Sequence, residues 1–434
     1  MKKRILALAL AGVLLFSGCG AQTLIVPEST EKETTEMEKT EEIQEKQEPE
    51  ASVSVIPEEK EEKQEEEKVE AETSTSEPSV SEPSVSEPVN AFDEEGSVEF
   101  VKRLKLGWNL GNTLDATDSR GLDTETSWGV PKTTKEMIHF VKECGFTSIR
   151  IPVSWYKHVS GEDFTIDPEW MDRVNEVVDW ALEEDFYVII NSHHDCDYYY
   201  PSDEKLESSL KYIECIWTQV ADRFKDYDEK LIFEAMNEPR LMGTSVEWWF
   251  NLQNAEGNAS IKCINELNQK FVDVVRSSGG NNDKRFIMVP SYSANPDFAL
   301  YPNFKFPEDP AGHSILSVHA YTPYDFAGNV SGYSEWTESK KSELGFAQKL
   351  YLRFGPQNIG VVIGEFGATN KGNDADRIAW AKDYTEKTSQ YGMPCFVWDN
   401  MQTGVGAENF GIIDRKNLKV SFPDLLDAYL TYYK

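Results

Sequence analysis

The sequence predicts an α/β chain whose main domain is a closed (β/α)8 barrel of the TIM type. Three observations carry that expectation. Eight short apolar runs recur along the chain, helical patterns lie between most of them, and the residues with chemistry to offer fall where those runs stop. In a parallel barrel the strand end fixes the backbone while the following loop opens the side chain to a ligand, so catalytic groups collect there.

From the N-terminus, the first nineteen residues have the parts of an export signal. Met1-Lys2-Lys3-Arg4 is basic, Ile5 to Phe16 is apolar, and Ser17-Gly18-Cys19 is small and ends in cysteine. The apolar run is short of the roughly 20 residues of a membrane span, and it reads as cleaved. Phe16-Ser17-Gly18-Cys19 resembles the lipobox of a bacterial lipoprotein. That resemblance implies lipidation of Cys19 and an extracellular protein tethered at the cell surface by a lipid anchor. An ordinary secretory signal with free release is the alternative.

Residues 20–90 are rich in Glu, Ser, Thr, Pro and Lys and have almost no aromatics, so they cannot bury enough surface to offset chain entropy. A disordered, acidic linker is expected. Its Ser-Glu-Pro repeats at 76–88 stiffen and extend it. The linker carries 22 acidic and 6 basic side chains, about half the excess behind the chain's formal charge of -33. So acidic a surface argues against nucleic acid, because it opposes the counterion release that drives phosphate binding.

From Ala91 the composition turns aromatic-rich and globular, and 91–434 is expected to be the barrel domain with no room for a separate binding module. Predicted strands run Leu104 to Asn109, Ser148 to Val153, Tyr187 to Ser192, Leu231 to Met236, Arg285 to Pro290, Ile315 to His319, Gly360 to Gly364 and Cys395 to Asp399. Helical patterns cover Thr134 to Cys144, Asp167 to Glu183, Glu207 to Lys225, Ser260 to Arg276 and Asp374 to Tyr391. Cys144, Cys196, Cys215, Cys263 and Cys395 are an odd set without metal-knuckle spacing. Buried thiols are expected, with one bridge at Cys196 left open.

The stretch Leu231 to Arg240, L-I-F-E-A-M-N-E-P-R, parks Glu238 where an apolar strand meets a breaker, and G-V-V-I-G-E-F-G at 360 to 367 presents Glu365 in the same way. Two carboxylates so placed suit acid/base plus nucleophile chemistry on a glycosidic bond. Other strand ends carry Asn112, His193 and His194, Asn237, His319 and Tyr321, and Trp398, and Arg150 lies within the second strand. Such a distribution is what an active-site rim requires.

Seven ordered motifs resemble glycoside hydrolase family 5 cellulases. They are G-W-N-L-G-N-T-L-D-A at 107 to 116, S-I-R-I-P-V-S-W at 148 to 155, N-S-H-H-D at 191 to 195, F-E-A-M-N-E-P at 233 to 239, H-A-Y at 319 to 321, G-E-F-G at 364 to 367 and W-D-N at 398 to 400. Within the family the likeness is to the endoglucanase and xyloglucanase branch. It implies a retaining endo-β-1,4-glucanase, monomeric and without cofactor or metal, acting on a β-glucan such as cellulose, xyloglucan or mixed-linkage glucan. Glu238 becomes the acid/base and Glu365 the nucleophile, the proximity of the two raising the pKa of whichever stays protonated. Arg150 and Tyr321 orient Glu365 and hold it ionised, and Asn237 bonds the sugar 2-hydroxyl. Asn112, His193, His194 and His319 bind substrate or the acid/base region, and Trp398 stacks under the sugar.

Bland readings stand beside these. His193, His194, Asp195 and His319 could instead ligate a metal, but the first-strand His-x-His of such barrels is absent and Asn112 occupies that region. His139, His158 and His313 read as surface or loop residues. Trp128, Trp155, Trp248, Trp249, Trp336 and Tyr198 to Tyr200 are candidate subsite walls, whereas Trp170, Trp180 and Trp380 sit at helical spacing and read as core. The same chemistry on xyloglucan, mixed-linkage glucan or mannan is the near alternative. A surface glycan-binding protein on a dead barrel is the distant one, and it predicts a lost catalytic residue.

Overall fold

The computed structural model describes residues 95–434 of the chain; the predicted signal peptide with Cys19 and the predicted linker lie outside the described residues. Eight parallel strands close on themselves: β1 Leu106–Asn109, β2 Ser148–Ile151, β3 Tyr187–Asn191, β4 Leu231–Glu234, β5 Ile287–Pro290, β6 Ser314–His319, β7 Gly360–Phe366 and β8 Cys395–Val397. Each pairs with its sequence neighbours and β1 pairs with β8, which is the predicted barrel. The α-helices of eight residues or more are α1 Ser97–Leu104, α2 Lys135–Glu143, α3 Pro168–Glu183, α4 Leu206–Arg223, α5 Ala255–Ser277, α6 Phe346–Phe354, α7 Asp374–Gln390 and α8 Pro423–Leu430. Of these, α1, α6 and α8 were not predicted. After β5 the chain makes the 3-10 turn Tyr292–Ala294 and the single helical turn Pro296–Ala299.

Side chains alternate across each strand, so one set faces the helices and the other the barrel interior. Ile149, Ile151, Val188, Ile190, Leu231, Phe233, Ile363 and Phe366 belong to the large core between strands and helices. Ile189, Ile232, Met288, Ile315, Val362 and Phe396 form a separate cluster inside the barrel. Gly107 leaves its interior place open, and the Phe396 ring fills it so closely that a Cβ there would lie 2.2 Å from a ring atom.

The sequence reading started the first strand at Leu104, but that residue ends α1. Phe100, Val101 and Leu104 recur on one helical face and join the interior cluster, so α1 caps the N-terminal end of the barrel. Phe100 stacks on Phe286 with ring centroids 3.5 Å apart and planes 4° from parallel. Ser97 ties the cap to β7: its hydroxyl accepts from Gly360 N–H at 2.9 Å and donates to the Asn358 carbonyl at 3.1 Å.

Among the described residues no helix is long and apolar enough to cross a membrane. The five cysteines among the described residues carry free thiols; Cys196, Cys263 and Cys395 are buried and the other two half-buried. His158 and His313, expected at the surface or in loops, lie in a short 3-10 turn and between the regular elements of the barrel, respectively, and both are buried. The His158 ring stacks on Trp170 at 3.7 Å, and His313 Nδ1 faces the Lys284 carbonyl.

Candidate active site

The C-terminal end of the barrel interior is filled by a polar network centred on Arg150. Its Nε donates to Glu234 Oε2 at 2.7 Å, Nη1 to Glu365 Oε1 at 2.8 Å and Asn109 Oδ1 at 3.0 Å, and Nη2 to Asn237 Oδ1 at 2.8 Å. A guanidinium fully buried inside the barrel would be costly without partners, and here every arm is bonded. Glu234 also accepts from Asn191 Nδ2 at 3.0 Å and from Ser317 Oγ at 2.6 Å, so its charge is fully answered within the barrel.

Glu365 reaches this network through an irregularity in its strand. Ser317 pairs with Val362 and Val318 with Ile363, but His319 then pairs with Glu365, so Gly364 is skipped. Both Gly364 and Glu365 consequently face inward: a Cβ on Gly364 would lie 3.2 Å from His319 Nε2, while Glu365 accepts from Arg150. Without the extra residue, strict alternation would have aimed Glu365 at the helices. Asn109 Nδ2 holds the irregularity by donating to the Gly364 carbonyl at 2.9 Å. The other oxygen of Glu365 accepts from the Tyr321 hydroxyl at 2.9 Å.

Glu238 follows β4, and its Oε1 lies 2.8 Å from His319 Nδ1. One oxygen each of Glu238 and Glu365 and a ring nitrogen of His319 all lie within 4.8 Å of one another. Two carboxyl groups set about 5–5.5 Å apart suit attack and protonation across one glycosidic bond. Burial pushes the Glu238 carboxyl up, but the His319 hydrogen bond and the charges of His319, Arg240 and Arg150 outweigh it, and the net shift is downward.

The remaining predicted residues line the same mouth at different depths. His193 Nδ1 accepts from Asn191 Nδ2 at 3.1 Å, which leaves Nε2 as the protonated nitrogen. Burial holds its pKa well below the usual histidine range, aided by the charges of His194, Arg150 and His319. The Trp398 ring lies parallel to it, 2° off, with centroids 5.8 Å apart. Asn112 and His194 stand one step outside the network, joined through Asp115. The Asn112 N–H donates to Asp115 Oδ2 at 3.1 Å, and that oxygen lies 3.8 Å from His194 Nε2.

Among the described residues two groups have ligand atoms close enough to consider for a metal: Asp115 with His193 and His194, and Glu238 with His319 and Glu365. In each group a carboxylate already has partners, Asp115 the N–H groups of Asn112 and Thr113 and Glu238 the His319 ring. Asp195 belongs to neither group. It accepts from the Trp155 and Tyr156 N–H groups and from Ser192, and so fixes the loop after β2.

The sequence reading missed Glu234, Asn109, Asn191 and Ser317, all inward-facing and buried. A signal was present, since Glu234 lies two residues from Ile232 in a strand otherwise apolar, where a charge needs a partner. Among the candidate walls, Trp155 and Tyr199 are fully buried, and Trp336 is buried with its Nε1–H on Asp383. Trp155 donates to the Asn191 carbonyl and is a core residue. Trp128 is half-buried with its ring 5.4 Å from that of His194, and Trp248 and Trp249 are exposed.

A parallel barrel with two acids converging at its C-terminal mouth above a buried arginine defines a glycoside hydrolase. Residues 113–404 match the cellulase model of glycosyl hydrolase family 5, and the chain belongs to that family. Endoglucanase A of Ruminococcus albus is 44% identical over 341 residues, 77% of this chain and 92% of that protein. Among solved structures, a variant of the family 5 lichenase from Caldicellulosiruptor sp. F32 in complex with cellotetraose superposes with a TM-score of 0.76 at 47% identity, covering 79% of this chain and 96% of that one. A broad-specificity endoglucanase from Ruminococcus champanellensis with bound cellotriose gives a TM-score of 0.74 at 40% identity over 78% of this chain and 99% of that one.

Proposed function

We propose that this chain is a retaining endo-β-1,4-glucanase that hydrolyses internal β-glucosidic bonds by double displacement. The observation that carries the reading is the approach of Glu238 and Glu365 to within 4.8 Å, oxygen to oxygen, at one mouth of the barrel. Glu365 accepts one donor on each oxygen and attacks the anomeric carbon, breaking its bond to the leaving oxygen. Glu238 gives its own proton to that oxygen, and the hydrogen bond between His319 Nδ1 and Glu238 Oε1 stabilises the carboxylate left behind. Glu238, now a carboxylate, takes a proton from water, whose oxygen releases the sugar from Glu365 with its original configuration. Asn237, held by Arg150, bonds the 2-hydroxyl. His193, His194, Asn112 and Trp398 bind the sugar on the side away from the leaving group.

Product followed by NMR from the first turnover should appear as the β-anomer; initial α-product overturns the retaining mechanism. The likeness to the lichenase supports activity on mixed-linkage glucan as well, and rates on cellulose, mixed-linkage glucan, xyloglucan and mannan measured side by side rank these substrates. Affinity for these polymers without turnover would return the reading of a binding protein. The sequence further supports export and lipidation at Cys19, with the catalytic domain acting as a monomer outside the cell. Detergent-phase partition of the full chain should be lost in Cys19→Ala, and partition into the aqueous phase by the unaltered chain indicates free secretion.

A further inference from the structure

Arg240 is two residues beyond Glu238 and is used by none of the steps above. Its guanidinium faces three ways. Nη1 donates to the Glu238 carbonyl at 3.0 Å and lies 3.5 Å from Glu238 Oε2, and Nε donates to Glu247 Oε1 at 3.2 Å. Its carbon stands 4.1 Å from the centroid of the Trp248 ring. Glu247 is itself fixed by the Gly243 N–H, which donates to its other carboxylate oxygen at 2.9 Å. Arg240 is buried, yet Trp248 keeps 40% of its surface in solvent and Trp249 keeps 56%. A charged side chain thus has one face on the candidate acid and the other under an indole at the rim.

We propose that Arg240 is a positioning residue for Glu238 and that Trp248, seated on it, is a binding wall for sugars on the leaving-group side. This rests on the acid/base reading of Glu238. An acid protonates the leaving oxygen, so the chain that continues from it lies beside the departing sugars. An indole face suits the C–H face of a pyranose, and the guanidinium behind it fixes the ring plane. Binding of a leaving-group sugar on Trp248 therefore bears on the geometry of the acid that serves it. The Glu238 carboxyl is faced by Arg240, His319, Arg150, His194, Tyr321, Glu365 and Glu408. Of these, Arg240 is the cation that also carries the rim.

The test compares two substrates in the full-length chain. Cellopentaose needs both a proton donor and leaving-group subsites; β-cellobiosyl fluoride needs neither. Trp248→Ala should lower the ratio of kcat/KM for cellopentaose to that for the fluoride about tenfold. Arg240→Gln should lower the same ratio and move the basic limb of the cellopentaose pH profile upward, because removing a cation disfavours the Glu238 carboxylate. Arg240→Lys should return the limb but not the ratio, as an ammonium restores charge without the planar face. Equal losses on both substrates with an unmoved limb mean a structural role and overturn the proposal, as does an unchanged ratio in Trp248→Ala. Glu238→Gln, run alongside, keeps the two readings apart: normal cellopentaose turnover in it removes the acid/base assignment itself, whereas its loss beside normal Arg240 and Trp248 variants removes only this inference.

Discussion

At the N-terminal end of the barrel interior, Phe100 and Phe286 stack in one apolar cluster with Ile189, Ile232 and Phe396. Two residues further along β3 and β4 the same inward places hold Asn191 and Glu234, which bond each other and, through Glu234, Arg150. The strands, their tilt and their pleat are common to both ends, so backbone geometry does not choose between oil and ions. Side-chain chemistry does. The apolar end needs only volume and shape, and a helix supplies the missing lid. The polar end needs every donor and acceptor matched, because each partner lost leaves a charge without water. The apolar end serves packing alone and the polar end carries the chemistry, with Glu234 the residue that owes something to both.

Substitutions can break that division, beginning where the effect is greatest. Glu365→Gln or Glu238→Gln should reduce kcat on polysaccharide by at least about 10³-fold with Tm essentially unchanged; steady-state rates beside a thermal melt decide it, and near-normal rates remove both assignments. Glu234→Leu should cost about 3–5 kcal/mol, since it strands the Arg150 guanidinium in the barrel, and should lower activity as well. At the opposite end, Phe100→Ala should cost about 3 kcal/mol in denaturant titration while kcat below the melting range stays within twofold. A large kcat loss there would show that the two ends are coupled.

Smaller changes sharpen the contrast. Tyr321→Phe deletes one donor to Glu365 and should lower kcat about tenfold without a shift in Tm. His158, outside the barrel, tests burial without function. Burial against Trp170 depresses its pKa to about 4, from an ordinary 6.5. A base with a depressed folded pKa is neutral when folded, whereas the unfolded chain takes up a proton below 6.5. Its contribution is therefore intact above 6.5 and is lost progressively as pH falls toward 4. His158→Phe should remove about 2 kcal/mol of the stability difference between pH 7 and pH 4.5 in urea titrations. An unaltered difference would mean that the ring is not buried neutral.

Much of this was readable from the chain. Apolar runs of four to six residues between helical patterns gave the eight strands, because burial on both faces of a parallel strand leaves a local mark. Motifs at strand ends marked the mouth for the same reason. Helix α1 was missed because eight residues with four apolar positions look like the start of the strand that follows. Trp155 and Trp336 were placed at the rim because an indole's sequence neighbours do not say whether it packs or faces a ligand.

The sequence by itself determined which acids, histidines and aromatics exist and that they cluster at the ends of strands, since apolar periodicity and breakers are properties of adjacent residues. Only the tertiary structure decided where Glu365 points. Alternation assigns it to the helix side, and the residue skipped at Gly364, held by an Asn109 that is 255 positions away in the chain, turns it inward to Arg150 and Tyr321. A side chain's face follows from strand register, and register is fixed by partners that the local sequence does not contain.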